Sequence, residues 1–400
     1  MTFLRVHLSS AFVNKLTNVQ REEEAIANIR DVARKAGVSI ATVSHVFNST
    51  RSVSDDVQRR VTQAAADLQY YPNHLARSLT TKRTGTVGMV VSDMSNPFFA
   101  ELIRGFEAAL RAHQYNLIVC NTEDDPYREE EALRLLMGKR VDGIAAAVAS
   151  EKWATLQMAQ DRLFPLVFID LKVEGVAGPL VCGDNEAGAY QGVSHLIADG
   201  HSRIGILAGM PGMSSMRERL AGYHRALADH GLSRDEDCVK FSRLDVVSAA
   251  QQMEALLTQT PRPDAVFVNN NLLALGALNA LQSLGLSCPE DVALACYDDA
   301  PWMTVSDPPL TVVRQPNHDM GVLAGRLLLE QIRGDVVPRM AITLQSELVV
   351  RQSCRADRHG APVRRAATVA GVGSPVSPTK GGDDTSANRA QATALDGTGR

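Results

Sequence analysis

The stretch NIRDVARKAGVSIATVSHVFN, residues 28–48, decides how the rest of the chain is read. Asn28 stands where a helix cap is needed, since its short side chain can accept from the free N–H groups of a first turn. Behind it Ile29, Val32, Ala33 and Ala36 fall at the i, i+3, i+4, i+7 positions of one helical face. Gly37 stops that helix, because without a Cβ it takes the left-handed conformation that ends helices. Ser39 then caps a second helix running to about Phe47, ended by Asn48. Val43, Val46 and Phe47 turn inward, and Ile40, Ala41, Ser44 and His45 turn outward. Ser54 is placed to cap a third helix, with Asp55 and Asp56 in a first turn whose dipole favours acids. Its buried stripe is Val57, Val61, Ala65 and Leu68. Three short helices with a glycine turn between the first two make a helix-turn-helix domain, whose second helix can enter a major groove.

Charge agrees with that reading. Residues 28–83 carry nine Lys or Arg against four acids, while the whole chain is at −4. A local positive excess suits a phosphate backbone, and the negative total argues against a protein that coats nucleic acid non-specifically. With 45% apolar and 22% charged residues the bulk of the chain has the composition of folded domains. Its 400 residues suffice for more than one core. The six cysteines show no metal-ligand spacing, so they read as buried or incidental thiols in a reducing compartment, and no metal or cofactor is implied. No apolar run of about 18 residues is present, so no membrane span is expected. Residues 1–27 lack the pattern of a secretory signal and read as a disordered extension, which makes a cytoplasmic location the expectation.

After the headpiece, residues 28–72, Pro72-Asn73 breaks the chain. Residues 73–85 read as a short amphipathic hinge helix and a polar linker. From Thr86 the pattern becomes alternating strands and helices. Apolar runs at Thr86–Val91, Leu117–Cys120, Gly143–Val148, Leu166–Ile169, Arg203–Leu207, Ala265–Val268 and Val292–Cys296 are separated mostly by helical stretches. Such βα alternation implies parallel sheets covered on both faces, and its length implies two lobes. The last coherent strand is expected near Leu344–Val350, closing a core of residues 86–355. Residues 356–400, rich in Ala, Gly, Ser, Thr and Asp, read as a disordered tail.

The segment 29–48 closely resembles the headpiece of the LacI/GalR family of bacterial regulators. The resemblance continues through YPN at 71–73, LARSL at 75–79, SNPFF at 95–99, KRVDG at 139–143, DGHSRIG at 199–205, YDD at 297–299 and PPLT at 308–311. Most members of the family have Arg in place of His45; the string Thr-Val-Ser-His-Val around it is similar instead to the purine- and ribose-repressor branch. The resemblance implies an α/β protein: an all-α helix-turn-helix headpiece, a hinge helix, and a two-lobed core like a periplasmic sugar-binding protein. It implies a homodimer on palindromic double-stranded operator DNA, and a repressor whose DNA affinity changes when a small molecule binds between the lobes. A purine or other corepressor is the alternative to a sugar or polyol.

Base edges fall to Ile40, Ala41, Ser44 and His45 at the exposed face of the second helix. His45 can donate to guanine N7 or O6, or simply meet phosphate. Ile40 and Ala41 can meet thymine methyls, or serve ordinary packing. Ser39, Thr42 and Asn48 suit phosphate contacts or caps. In the hinge, Asn73, Ala76 and Leu79 match DNA-contacting positions, with Leu79 as a minor-groove wedge or else a staple onto the core. For the effector, the resemblance carries over Arg219 in RERLAG at 217–222, Asp298, Asn270 and Asp170, with Phe98 and Phe99 as aromatic walls and Trp302 as a stacking candidate. A guanidinium grips adjacent hydroxyls or a carboxylate, and a carboxylate accepts from vicinal hydroxyls. Departures bear on the ligand. Asn271 stands where many members have Asp, and Met213 and Leu244 stand where a purine binder offers a polar gripping residue and an aromatic. These favour a sugar or polyol.

Two other classes are disfavoured. A free transport protein would lack the headpiece. An enzyme would show a GxGxxG after a strand, a P-loop or a Gly-x-Ser-x-Gly elbow, none of which occurs, and His201 and Cys182 have no local partner at triad-like spacing.

Overall fold

The computed structural model describes residues 27–48, 51–71, 83–147, 156, 164–172 and 178–355. Asn73, Ala76 and Leu79 of the expected hinge, the residues before 27 and the residues after 355 lie outside them.

The headpiece contains α1 (Ile29–Ala36), α2 (Ile40–Asn48) and α3 (Asp55–Asp67). Asn28 closes a capping box: its Oδ1 accepts from Arg30 N at 2.9 Å, and Asp31 Oδ2 accepts from Asn28 N at 3.1 Å. Gly37, at φ +65°, ends α1 in the left-handed region. Arg60 of α3 donates to the terminal Ala36 carbonyl at 3.0 Å, so the two helices are joined where a carbonyl would be orphaned. Ser39 Oγ accepts from Thr42 N at 3.1 Å and caps α2. Ser54 takes the cap position of α3, but its side chain makes no cap bond, contrary to expectation; Asp55 and Asp56 are left to complement the dipole. Val32, Val43 and Val61, one from each helix, are fully buried together.

Asn28→Ala is expected to destabilise α1 by about 1 kcal/mol, the usual worth of an N-cap. In amide exchange on the full chain, protection of residues 30–36 should fall by roughly fivefold. Asn28→Ser, which can still cap, should restore most of it; a serine variant as unprotected as the alanine one would refute the cap.

The core holds two six-stranded sheets. The first, in the order β11-β5-β4-β3-β1-β2, comprises β1 (Thr86–Val91), β2 (Asn116–Asn121), β3 (Gly143–Ala146), β4 (Leu166–Ile169), β5 (Leu180–Gly183) and β11 (Ala341–Leu344). It carries α4 (Pro97–Arg111), α5 (Pro126–Gly138) and α10 (Asn317–Arg333). The second, β12-β10-β9-β8-β6-β7, comprises β6 (Ile204–Gly209), β7 (Val239–Ser242), β8 (Ala265–Val268), β9 (Ala293–Tyr297), β10 (Thr311–Arg314) and β12 (Glu347–Val349). Its helices are α6 (Asn185–Ala198), α7 (Ser214–Asp229), α8 (Val246–Leu257) and α9 (Asn271–Leu284). Apolar clusters fill both faces of each sheet, which is why β1, β4, β8 and β9 are continuous apolar runs rather than alternating ones.

The chain passes between lobes three times: after β5 at 183–185, after β10 at 314–317, and between β11 and β12 at 344–347. This corrects the single strand expected near Leu344–Val350. That run is split at the third crossing, with β11 parallel to β5 in one lobe and β12 antiparallel to β10 in the other.

Candidate functional site

On α2, Ser39, Ile40 and Ala41 are exposed, Ile40 at 45%, and Thr42, Ser44 and His45 are half-buried. Ser39 and Thr42 also share a 2.8 Å hydroxyl–hydroxyl bond, so both belong first to the helix start. Asn48 closes the helix. Val43, Val46 and Phe47 face the headpiece core, leaving the outward face to the residues read from sequence as base-contacting.

The second site is an open cleft with about 610 Å³ of empty space, its mouth included. Its walls are the segments that follow strands: Asp93 and Phe98 after β1, Asp124 after β2, Asp170 after β4, Arg219 after β6, Asn270 after β8 and Asp298 after β9. In each sheet order the strand sequence reverses, between β1 and β3 in one lobe and β6 and β8 in the other. Crevices at such reversals, off the carboxyl ends of parallel strands, are where open α/β sheets bind ligands.

Asp170 and Asp298 each sit one residue beyond a strand, in opposite lobes, at φ +69° and +68°. A left-handed backbone costs a residue with a Cβ on the order of 1 kcal/mol, and such strain concentrates at ligand sites. Arg219, 2% exposed, is fixed from several sides. Its Nε donates to Asn185 Oδ1 at 2.9 Å and its Nη1 to the Asn269 carbonyl at 2.7 Å. Nη1 lies 3.7 Å from Asp298 Oδ2, and the guanidinium carbon stands 3.7 Å from the centre of the Tyr297 ring. Gln315 Nε2 donates to the other oxygen of Asp298 at 2.7 Å. Asp170 differs: its Oδ1 is shut off from solvent with no hydrogen-bond partner. Across the cleft the lobes touch where Asn271 Nδ2 donates to Asn96 Oδ1 at 2.8 Å and Lys172 Nζ meets Glu218 at 2.7 Å.

Burial pushes the Asp170 carboxyl up to about 6; Arg219 opposes the shift, and Asp298 and Glu218 add to it. Burial likewise raises Asp298, against the pull of Arg219 and the Gln315 bond. A carboxyl raised in the folded state binds protons more tightly there than in the unfolded chain. Its contribution is therefore greatest below about pH 4 and is lost as pH rises through about 6. Asp170→Asn removes this titration. The stability difference, variant minus wild type in urea unfolding, should grow between pH 4.5 and 7. A difference that is flat or shrinks over that interval would place Asp170 in another environment.

The cleft brings together Phe98, Phe99, Asp170, Arg219, Asn270 and Asp298 as the resemblance implied. Trp302 is not among its lining residues; it lies in a short 3-10 turn, packed against the apolar cluster under α9. Met213 and Leu244 do line the cleft. Sequence reasoning missed Asp93, Asn96 and Asp124, although Asn96 stands inside the quoted SNPFF motif and could have been found there. His201 Nε2 donates to the Cys354 carbonyl at 2.8 Å and its Nδ1 faces Asp264, while burial raises the Cys182 thiol. Neither is arranged as a base or a nucleophile. Among the described residues no helix is long and apolar enough to cross a membrane, and no His, Cys, Asp and Glu cluster could hold a metal.

Residues 28–73 match the description "bacterial regulatory proteins, lacI family", and residues 193–354 match a periplasmic binding protein-like domain. The HTH-type transcriptional repressor PurR of Aliivibrio salmonicida is 35% identical over 82% of this chain and 99% of its own length. Among solved structures, the transcriptional regulator CelR–cellobiose complex superposes with a TM-score of 0.64 at 32% identity, covering 82% of this chain and 99% of that one. The lac repressor dimer bound to operator and the anti-inducer ONPF gives 0.74 at 27% identity, with 82% and 99% covered.

Proposed function

Because the chain belongs to the lacI family of bacterial regulatory proteins, we propose that it is a repressor whose operator affinity is set by a sugar or polyol held between Asp170, Arg219 and Asp298. The observation that carries the ligand class is the unpartnered Oδ1 of Asp170. A buried acceptor without a donor is costly, and a ligand hydroxyl supplies that donor. Arg219 supplies donors in return, and Phe98, Phe99 and Met216 give an apolar wall for the C–H face of a ring. A purine corepressor fits less well. Met213 offers no hydrogen bond and Leu244 no aromatic face where the family's purine binders have a polar grip and a ring.

On the DNA side, a homodimer presents two α2 helices to successive major grooves of a palindromic operator, with Ile40, Ala41, Ser44 and His45 at base edges. Asn73, Ala76 and Leu79 are proposed for the minor groove between them. Operator DNA is the partner that places the protein in the cytoplasm, and no chemical step is assigned to the cleft.

Thermal unfolding of the full chain with cellobiose, D-ribose, ribitol, hypoxanthine and guanine tests the ligand class. Ligand that binds only the folded state raises Tm by mass action. A rise with a sugar or polyol alone supports the proposal; a rise with the purines alone replaces it with the corepressor reading.

A further inference from the structure

The groups that form the cleft are bonded to the three interlobe crossings. The Tyr297 hydroxyl, next to Asp298, donates to the Asp184 carbonyl at 3.2 Å in the first crossing and accepts from Ser346 Oγ at 3.1 Å in the third. Gln315, in the second crossing, donates to Asp298. Arg219 reaches Asn185, at the end of the first, and stacks over the Tyr297 ring. Tyr297 and Gln315 are 0% and 3% exposed. Two glycines make room for them. A Cβ on Gly188 would stand 2.8 Å from the Tyr297 hydroxyl, and one on Gly183 would stand 2.1 Å from Gln315 Oε1. Burial raises the Tyr297 phenol well above its ordinary range, so it stays a donor.

We propose that Tyr297 and Gln315 are positioning residues that tie the effector cleft to all three crossings, so that gripping the ligand and setting the angle between the lobes are one hydrogen-bonded event. This rests on reading the cleft as the effector site. Without these bonds the cleft could grip a ligand while the crossings stayed free. Here the acid that accepts from the ligand shares Gln315 with the second crossing, and the ring beneath Arg219 holds the first crossing to the third. Packed interfaces of this kind adopt discrete arrangements rather than bending continuously, which is what a two-state regulator requires.

Tyr297→Phe keeps the ring under Arg219 and removes only the hydroxyl. Tyr223→Phe is the matched control, because its buried hydroxyl donates to the Ile204 carbonyl at 2.8 Å within one lobe and reaches no crossing. Hydrogen–deuterium exchange on the full chain without ligand reads the result. Tyr297→Phe should quicken exchange at 183–185 and 344–347 about tenfold, and Ser346→Ala should do so at 344–347, with the double variant adding little. Gln315→Met should loosen 314–317. Tyr223→Phe should change none of these, even where its Tm falls as far. Equal changes in the two phenylalanine variants, or no change at the crossings in either, overturn the proposal, as do fully additive effects of Tyr297→Phe and Ser346→Ala. A second arm adds cellobiose or D-ribose. A sugar that protects all three crossings in the wild type should still protect the cleft and 314–317 in Tyr297→Phe but no longer 183–185 or 344–347, and protection of those two crossings that survives the variant also overturns the proposal. If neither sugar protects the wild type, the ligand class is wrong while the ligand-free arm still decides the coupling.

Discussion

Arg219→Ala is expected to destabilise the protein by about 3–5 kcal/mol, the usual consequence of leaving a buried charge without its partner. The loss falls on more than one group. Asp298 keeps a buried carboxylate with no guanidinium, Asn185 Oδ1 loses its donor, and the Asn269 carbonyl loses another. Against a total stability of roughly 5–15 kcal/mol this is a large fraction. Effector binding should weaken by at least about tenfold, since a hydrogen bond to a charged group is worth roughly 1.5–3 kcal/mol. The two effects separate in a double variant. Arg219→Ala with Asp298→Asn removes both charges and should recover part of the stability, because no buried carboxylate is left unpaired. It should recover no ligand affinity. Urea unfolding and calorimetry on the wild type, both single variants and the double variant measure this. If the double variant is less stable than Arg219→Ala alone, the pair is not the reason Arg219 is buried. Response to ligand can be judged only at a temperature where the single variant is folded, since Arg219 also holds the cleft together.

How far this was legible depends on which residues carry the signal. The headpiece could be read closely because its helices are short, capped and amphipathic: Asn28, Gly37 and Ser39 each act within three or four residues of themselves. β1 falls on the apolar run Thr86–Val91 because a strand buried on both faces needs no alternation. β5, β7 and β10 escaped because LVCG, VKFS and TVVR hold no more than three consecutive apolar residues, too few to separate from a buried turn, whereas LVFI of β4 and AVFV of β8 are apolar throughout. The split of the final strand was illegible in principle. Leu344–Val350 reads as one strand, and only the sheets that β11 and β12 join reveal the crossing within it. In the cleft, Arg219 and Asp298 could be carried over from motifs. Their lattice of Asn185, Tyr297 and Gln315 could not, because it joins residues as much as 130 positions apart in the chain. Trp302 shows the converse: a tryptophan near a ligand motif looks like a stacking platform until the apolar cluster that it covers is seen.

Glycines pose the same difficulty, since a helical glycine reads in sequence as a defect of about 1 kcal/mol relative to alanine. Gly321→Ala should instead destabilise by about 3 kcal/mol. α4 and α10 meet backbone to backbone. A Cβ on Gly321 would stand 2.1 Å from the Leu102 carbonyl oxygen and 2.7 Å from Phe106 N, and one on Gly105 would stand 2.0 Å from the His318 carbonyl oxygen. Those atoms are helical main chain and cannot rotate away, so the helices must separate. Separation opens the packing of Leu102, Phe106, Met320 and Ala324, all 0% exposed, and overpacking of this kind costs about 1–3 kcal/mol before the loss of a better-fitting backbone contact. The gain in helix propensity offsets about 1 kcal/mol of it. Gly138→Ala is the control, because Gly138 is also helical and has nothing within 4 Å of where its Cβ would be. It should be neutral or slightly stabilising. Both variants are compared by urea unfolding at one pH. α10 also begins directly after the second crossing, so Gly321→Ala should speed amide exchange at 314–317 as well as lower stability. Equal stability in the two variants would mean that α4 and α10 are held apart by their side chains, and that the close approach of Gly105 and Gly321 is not what sets their spacing.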